Sequence, residues 1–376
     1  MRIAIVHDWL VGYAGGERVL EQIIACYPSA DLFTMVDFLA PEQRRFLGDR
    51  PVSTSFVQRL PGARRHYRSY LGLMPLAVEQ FDLSGYDLVI SSSHAVAKGV
   101  ITGPDQPHVS YVHSPMRYAW DQQHQYLRQS RTDRGLRGVY ARWLLSRLRI
   151  WDVRTANGVD TFIANSHYIA RRIRKAYRRE AEVIPPPVDT ELFRPAGRRG
   201  ETFLVASRQV PYKRVDLVAA AFARMPQLRL VISGAGPEHG RVRAAAAGAP
   251  NISFLDPCPP GEMAARMQQA RGFVFAGEED FGIVLAEALA CGTPAIALDR
   301  GGAREIVAGT DTAAPTGVLF GEQSVEGVMA GVRAFIAAEP RIAAADCRAA
   351  AERFAIARFR RDFIASVERT IHAVQG

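Results

Sequence analysis

Cysteine is scarce in this chain, and what there is stands apart. Cys26, Cys258, Cys291 and Cys347 include no C-x-x-C pair, which argues against a zinc site or a disulfide framework and fits the reducing cytoplasm. Long apolar runs are also missing. The opening "MRIAIVHDWLVG" is interrupted by His7 and Asp8 before it reaches the length of a signal-peptide core, and no run is long enough to span a bilayer. The sequence therefore predicts a cytoplasmic protein, free or peripheral on the inner face of the cytoplasmic membrane. No D-x-D triplet occurs, and the histidines are not spaced as metal ligands, so neither a metal nor another cofactor is expected. Internal repeats and low-complexity tracts are absent too.

What is present is a 376-residue chain, 48% hydrophobic and 23% charged, longer than one hydrophobic core usually serves, so two domains are expected. The formal net charge is +9, and residues 128–180 alone carry fourteen Lys or Arg against four Asp or Glu. This local basicity reads either as a solvated helical face or as a surface for anionic lipid or another polyanion. A nucleic-acid protein would use the same segment, but no recognisable module interleaves aromatics there, and no nucleic-acid partner is expected. A second stretch, "LPGARRHYRSYLGLMPLAV", mixes Arg64, Arg65 and Arg68 with Tyr67, Tyr70, Leu71 and Leu73. Cations beside apolar side chains suit an anionic membrane surface.

Short apolar runs alternate with helical patterns along the whole chain. "RIAIVHD" precedes Gly12, Gly15 and Gly16 and then Val19, Leu20, Ile23 and Ile24 at helical spacing; "YDLVISSSH", "HVSYVHS" and "VDTFIANS" follow. A second series, "TFLVASR", "RLVISGAG", "ISFLD", "GFVFAG" and "PAIALD", begins beyond the prolines at 185–187, which belong to neither a helix interior nor a central strand. The expectation is an α/β chain of two doubly wound, Rossmann-like domains. An N-terminal domain spans 1–185, a C-terminal domain 186–355, and a helix over 356–376 packs back toward the first. Ligands of open parallel sheets bind beyond the carboxyl ends of the strands, so the site is expected in post-strand loops facing a cleft. "ISGAGPEHG" misses the dinucleotide fingerprint by one residue and reads as a strand-to-helix turn.

The stretch "EEDFGIVLAEALACGTP" (278–294) runs from a loop into a helix that ends at Gly292 and Pro294. Gly282 marks the helix start, where free amides and the dipole suit a diphosphate. A carboxylate repels that diphosphate, so Glu279 and Glu287 are expected to flank it and to accept hydrogen bonds from hydroxyls at its two ends. A nucleotide sugar has this layout. The bland alternatives are a dipole-satisfying acid at Glu279 and an exposed helix position at Glu287.

With "ALACGTPAIA" and "GGAREIV" behind it, this E-x7-E pattern resembles the donor-site signature of retaining glycosyltransferase family 4, of the GT-B fold. The resemblance continues through "HDWLVGYAGGERVL", "VHSPMRYAWD", "ANSHYIARRI", "VIPPPVDTELFRP" and "ASRQVPYKRVDLV". It implies that Arg208 and Lys213 bind the diphosphate and stabilise the leaving nucleotide, and that His113 approaches the transferring sugar. Glu279 then holds the sugar hydroxyls and Glu287 the ribose. The implied catalytic set is His113, Glu279, Arg208 and Lys213; the implied donor-binding set is Gly16, Arg208, Lys213, Phe281, Gly282, Ile283 and Glu287. Retention would follow from front-face displacement, with the leaving phosphate taking the acceptor proton. The openings look most like bacterial mannosyltransferases of surface polysaccharide assembly, which implies GDP-mannose as donor and a polyprenyl-diphosphate-linked glycan as acceptor. A UDP-sugar donor, or a sugar-nucleotide epimerase of the same plan, would present the same donor site.

Overall fold

The computed structural model describes residues 1–376. The chain divides into two units, Met1–Pro185 with Phe359–Gly376, and Pro186–Arg358. The last boundary lies three residues beyond the expected one, and Val188 bridges Ala355 within the second unit.

The first unit is a seven-stranded parallel sheet: β1 (Ile3–His7), β2 (Asp31–Thr34), β3 (Val52–Thr54), β4 (Leu88–Ser93), β5 (His108–Val112), β6 (Thr161–Ala164) and β7 (Glu182–Val183). Its order is β3-β2-β1-β4-β5-β6-β7. β1, β4 and β5 are buried along their length, as expected of strands covered on both faces. The order reverses between β1 and β4, where Ile5 pairs with Ile90 and His7 with Ser92, and this switch point is where an open sheet leaves a crevice. The glycines of "YAGGERVL" do not precede the first helix: Gly15 and Gly16 are its first two residues, in α1 (Gly15–Cys26). The long helix α2 (Gly135–Thr155) covers the other face through Leu145 and Leu148.

The second unit is a six-stranded parallel sheet: β8 (Thr202–Ala206), β9 (Arg229–Ser233), β10 (Ile252–Leu255), β11 (Phe273–Phe275), β12 (Ala295–Leu298) and β13 (Gly317–Phe320). Its order is β10-β9-β8-β11-β12-β13, with the reversal between β8 and β11. Helix α3 (Ile283–Ala290) follows β11 and is buried from Leu285 onward; its alanines let it lie close to the sheet.

The final helix, α4 (Ile356–Gln375), has its apolar residues every fourth position. Phe359, Phe363 and Val367 join the first unit's core beside Ile5, Leu20 and Tyr111, and Arg369 pairs with Glu182 of β7.

Candidate active site

In the second unit, the segments leaving β8 and β11 bring the expected donor residues together. β8 runs into a loop and a single 3-10 turn, Pro211–Lys213. The backbone of that loop is held by the glycine-rich turn after β9: Ser207 N–H donates to Ser233 O at 3.1 Å and Gln209 N–H to Ala235 O at 2.8 Å. "ISGAGPEHG" therefore braces the loop that carries Arg208 and Lys213.

The Lys213 ammonium pairs with Glu279 Oε1, both side chains largely buried. Burial by itself lowers the lysine's pKa, but the Glu279 carboxylate outweighs it and holds the ammonium above its ordinary value. Lys213 is thus a permanent cation, and it also lies 5.9 Å from the Phe275 ring centroid. The adjacent Arg214 turns elsewhere: it adopts φ +49 and forms a two-pronged pair with Asp216. That settles which neighbour serves the loop's interior. Arg208 is exposed, close enough for its charge to be felt at Lys213.

The Glu279 backbone is fixed from behind, since its carbonyl accepts from Gly302 N–H at 2.9 Å. A Cβ at Gly301 would lie 2.3 Å from that same carbonyl, so the "GGAREIV" glycine is required for close approach. Phe281 turns its ring into the core, edge-on to Phe354 at 5.3 Å, leaving only its backbone for a ligand. Gly282 caps α3 with φ +94, and no side chain caps that end. Leu285 N–H is already given to Gly282 O at 2.9 Å, so the amides of Ile283 and Val284 are the first-turn donors left for an anion. Glu287 is buried, 5% exposed, which removes the reading of an exposed helix position.

The first unit assembles a second polar cluster at its own switch point. His113 follows β5, with its N–H donating to Ser93 O at 2.8 Å. The Gly16 backbone lies beside it, a Cβ there falling 3.9 Å from the imidazole. His113 Nε2 is 2.9 Å from Ser92 Oγ, which is 3.0 Å from His7 Nδ1. His7 Nε2 in turn faces Glu17 Oε1 at 3.9 Å. The serine has one proton, so one imidazole donates to it and the other accepts. With a proton on His7 Nε2, toward Glu17, Ser92 donates to His7 and accepts from His113, leaving His113 Nδ1 an acceptor. Burial, then the neighbouring His94 and His7, push His113 down to about 3, so it is a neutral ring at pH 7. Such a group orients hydroxyls rather than carrying charge.

Below this chain Asp8 is wholly buried, accepting from His94 and Ala95 N–H at Oδ2 (2.5 and 2.9 Å) and from Val96 and Ala97 N–H at Oδ1 (2.6 and 2.8 Å). Its carboxyl is opposed by burial, yet His94, the amides and His7 together hold it below the usual value. Sequence reasoning missed His7, Asp8, Glu17, Ser92 and His94 as site residues. The available signal was that "VHD" and "SSSH" put unusual polar residues at the ends of two otherwise apolar strands.

The structure thus collects Lys213, Glu279, Gly282 and Ile283 in one unit, and Gly16 and His113 in the other. Residues 13–192 match the family model Glycosyltransferase Family 4, and residues 190–354 match Glycosyl transferases group 1. A D-inositol 3-phosphate glycosyltransferase of Segniliparus rotundus is 32% identical over 212 residues, 49% of this chain and 46% of that protein. One of Mycobacterium leprae is 32% identical over 167 residues, 38% of this chain and 39% of that protein. The chain spans less than half the length of these curated relatives. Among solved structures, Anabaena Alr3699/HepE in complex with UDP aligns with a TM-score of 0.71 at 17% identity, over 98% of this chain and 100% of that one. Sucrose-phosphate synthase of Thermosynechococcus elongatus aligns with a TM-score of 0.70 at 17% identity, over 99% of each chain. The fold they share with this chain is GT-B.

Proposed function

From a chain whose residues 13–192 match Glycosyltransferase Family 4 and whose residues 190–354 match Glycosyl transferases group 1, we propose transfer of a hexose from a nucleoside-diphosphate sugar to an acceptor hydroxyl with retention of configuration. One observation carries this reading. At the β8/β11 switch point a buried cation, Lys213, touches a carboxylate, Glu279, beside the uncapped amides of α3. A diphosphate needs the cation and the amides, and a sugar needs a fixed acceptor of hydroxyl hydrogen bonds.

In this reading Lys213, Arg208 and the amides of Phe281, Gly282 and Ile283 bind the diphosphate. Their positive charge stabilises the leaving nucleotide as negative charge grows on its phosphate. Glu279 accepts from the hexose hydroxyls, and Glu287 from the ribose. His113, neutral and tied to Ser92, orients the transferring sugar, with Gly16 beside it. The leaving phosphate takes the acceptor proton, and no metal ion takes part.

For the donor we propose GDP-mannose, and for the acceptor a polyprenyl-diphosphate-linked glycan of bacterial surface polysaccharide synthesis, supported by the likeness of "HDWLVGYAGGERVL" and "HSPMRYAWD" to such mannosyltransferases. The enzyme would then work as a peripheral protein on the inner face of the cytoplasmic membrane; no helix is long and apolar enough to cross one. A UDP-sugar donor is the second reading, favoured by the UDP bound to the Anabaena neighbour. Slow hydrolysis of GDP-mannose, UDP-glucose and UDP-N-acetylglucosamine at equal concentration separates them. Preference for a uridine nucleotide removes the mannosyl assignment, and consumption of none removes the transferase reading.

A further inference from the structure

Helix α2 is apolar on two opposite sides. One side, with Gly138, Leu145, Leu148 and Asp152, is buried against the first unit. The other carries Leu136, Val139, Tyr140, Trp143 and Ile150, each more than half exposed and Leu136 90% exposed. At 100° per residue these five fall within one stripe about 100° wide. Single exposed apolar residues are ordinary, but a contiguous stripe of large ones marks a contact surface. Tyr140 and Trp143 are stacked, their ring centroids 5.9 Å apart, forming one broad aromatic surface.

Arginines stand beside the stripe and within it: by the same rotation Arg137 and Arg142 fall on its two sides and Arg147 inside its arc. Arg134, Arg137, Arg142, Arg147 and Arg154 are all exposed, although Arg142 donates to Asp133 O and Arg154 pairs with Glu79, each at 2.8 Å, and no acidic residue occurs between Arg134 and Trp151. Arg147 lies 5.8 Å from the Trp143 ring. The neighbouring segment extends the same character: Gly72 packs against Leu144, Glu79 accepts from Trp151 Nε1 at 2.7 Å, and Leu73 and Leu76 are exposed beside exposed Arg64, Arg65 and Arg68. The helix is pinned from behind by the buried Lys98–Asp152 pair, 2.8 Å long. It therefore presents the stripe from a rigid base.

We propose that this outer face of α2 docks on an anionic bilayer, its five apolar side chains entering the interface and the flanking arginines pairing with lipid phosphates. The charge selects this occupant: a second copy of the same arginine-rich face would repel it, and a nucleic acid has phosphates for the arginines but nothing apolar for the stripe. The surface is narrower than the sequence suggests. Tyr67 is buried, Arg149 is bonded to Ala119 O and Gln123, Arg172 is paired with Asp121, and Arg179 is bonded to Ala156 O and Asp160 O. None of these four is on offer.

The proposal deepens the reading of a lipid-linked acceptor and is tested apart from it, by flotation of the full chain with vesicles of phosphatidylcholine alone or mixed with phosphatidylglycerol. The wild type is expected to float with the mixed vesicles only. Trp143→Glu with Ile150→Glu, both at exposed positions, is expected to weaken binding more than about tenfold, and Arg137→Gln or Arg147→Gln about fivefold each. Donor hydrolysis in the absence of vesicles is expected to be unchanged in all three variants. Loss of hydrolysis in the wild type would strike the transferase reading and leave the docking result standing. Equal flotation with neutral vesicles, or flotation untouched by the glutamates, overturns the docking proposal. So does a dimer in light scattering that the glutamates dissolve, or salt-sensitive binding of duplex DNA that survives them.

Discussion

Replacing Lys213 by methionine keeps the length of the side chain and removes its charge, and the structure fixes what should follow. On the proposed reading the ammonium faces phosphate oxygens of the bound donor, whose charge grows as the glycosidic bond breaks. Removing one such donor from a preorganised site costs about 10²–10³ in kcat, or about 3–4 kcal/mol. There is a second contribution, because Lys213 also neutralises the Glu279 carboxylate it touches. Without it, that carboxylate confronts the incoming diphosphate unscreened, so donor affinity also falls, by less than kcat. Glu279→Gln removes the sugar contact but leaves Lys213 charged and released, so turnover should fall by orders of magnitude while nucleoside diphosphate binds as well as before or better. In Lys213→Met with Glu279→Gln the repulsion is gone, and the two losses should fall short of adding by about 0.5–3 kcal/mol, as for groups in direct contact. Initial rates against donor concentration, with calorimetric titration of the diphosphate, read all three proteins. A Lys213→Met effect confined to KM, or strict additivity, would refute the assignment.

Asp8→Asn should lower unfolding free energy by about 3–5 kcal/mol, because an amide oxygen accepts from only some of the four buried N–H groups and leaves others unsatisfied at about 1–3 kcal/mol each; an unchanged urea midpoint would contradict this. Acid should destabilise the first unit. His108, wholly buried, is pushed down to about 4 by burial and His113 to about 3, so the folded state refuses protons that the unfolded chain accepts. Stability should be full above about pH 6.5 and fall as pH drops toward 4, by about 1.4 kcal/mol per pH unit for each fully responding histidine. His108→Asn should flatten that slope in urea titrations across pH. Finally, transfer should survive a chelator, and activity lost to it but restored by magnesium or manganese would refute the metal-free mechanism.

The parts of the site that lie within one segment are legible in the sequence itself. "EEDFGIVLAEALACGTP" carries its strand end, glycine cap and helix in one short stretch, so local rules place Glu279, Gly282 and Ile283. What is not legible depends on sheet order. Ser92 meets His7 and His113 only because β4 lies between β1 and β5, and residues 85 positions apart leave no shared periodicity in a sequence. Glu17 is hidden differently, as an ordinary helix-start acid bonded to Ala14 N–H at 2.9 Å. The outer face of α2 escapes because two apolar sides on one helix cancel, and the segment looks merely mixed. Its basicity is visible in the residues, but which arginines are already committed to internal partners is not.

The return of the chain to its first unit also fixes an order of events during synthesis. Phe359, Phe363 and Val367 leave the ribosome only after the whole second unit has been made, yet they complete the core that Ile5 and Leu20 begin. Burying three such side chains contributes about 5–8 kcal/mol, comparable to the whole net stability of a domain. The hydrophobic cluster of the second unit is drawn entirely from the uninterrupted stretch Pro186–Arg358, which can finish folding while the nascent first unit still waits, its hydrophobic face open to chaperones. A stop codon near residue 358 would therefore yield a protein whose second unit is sound and whose first is prey to proteolysis.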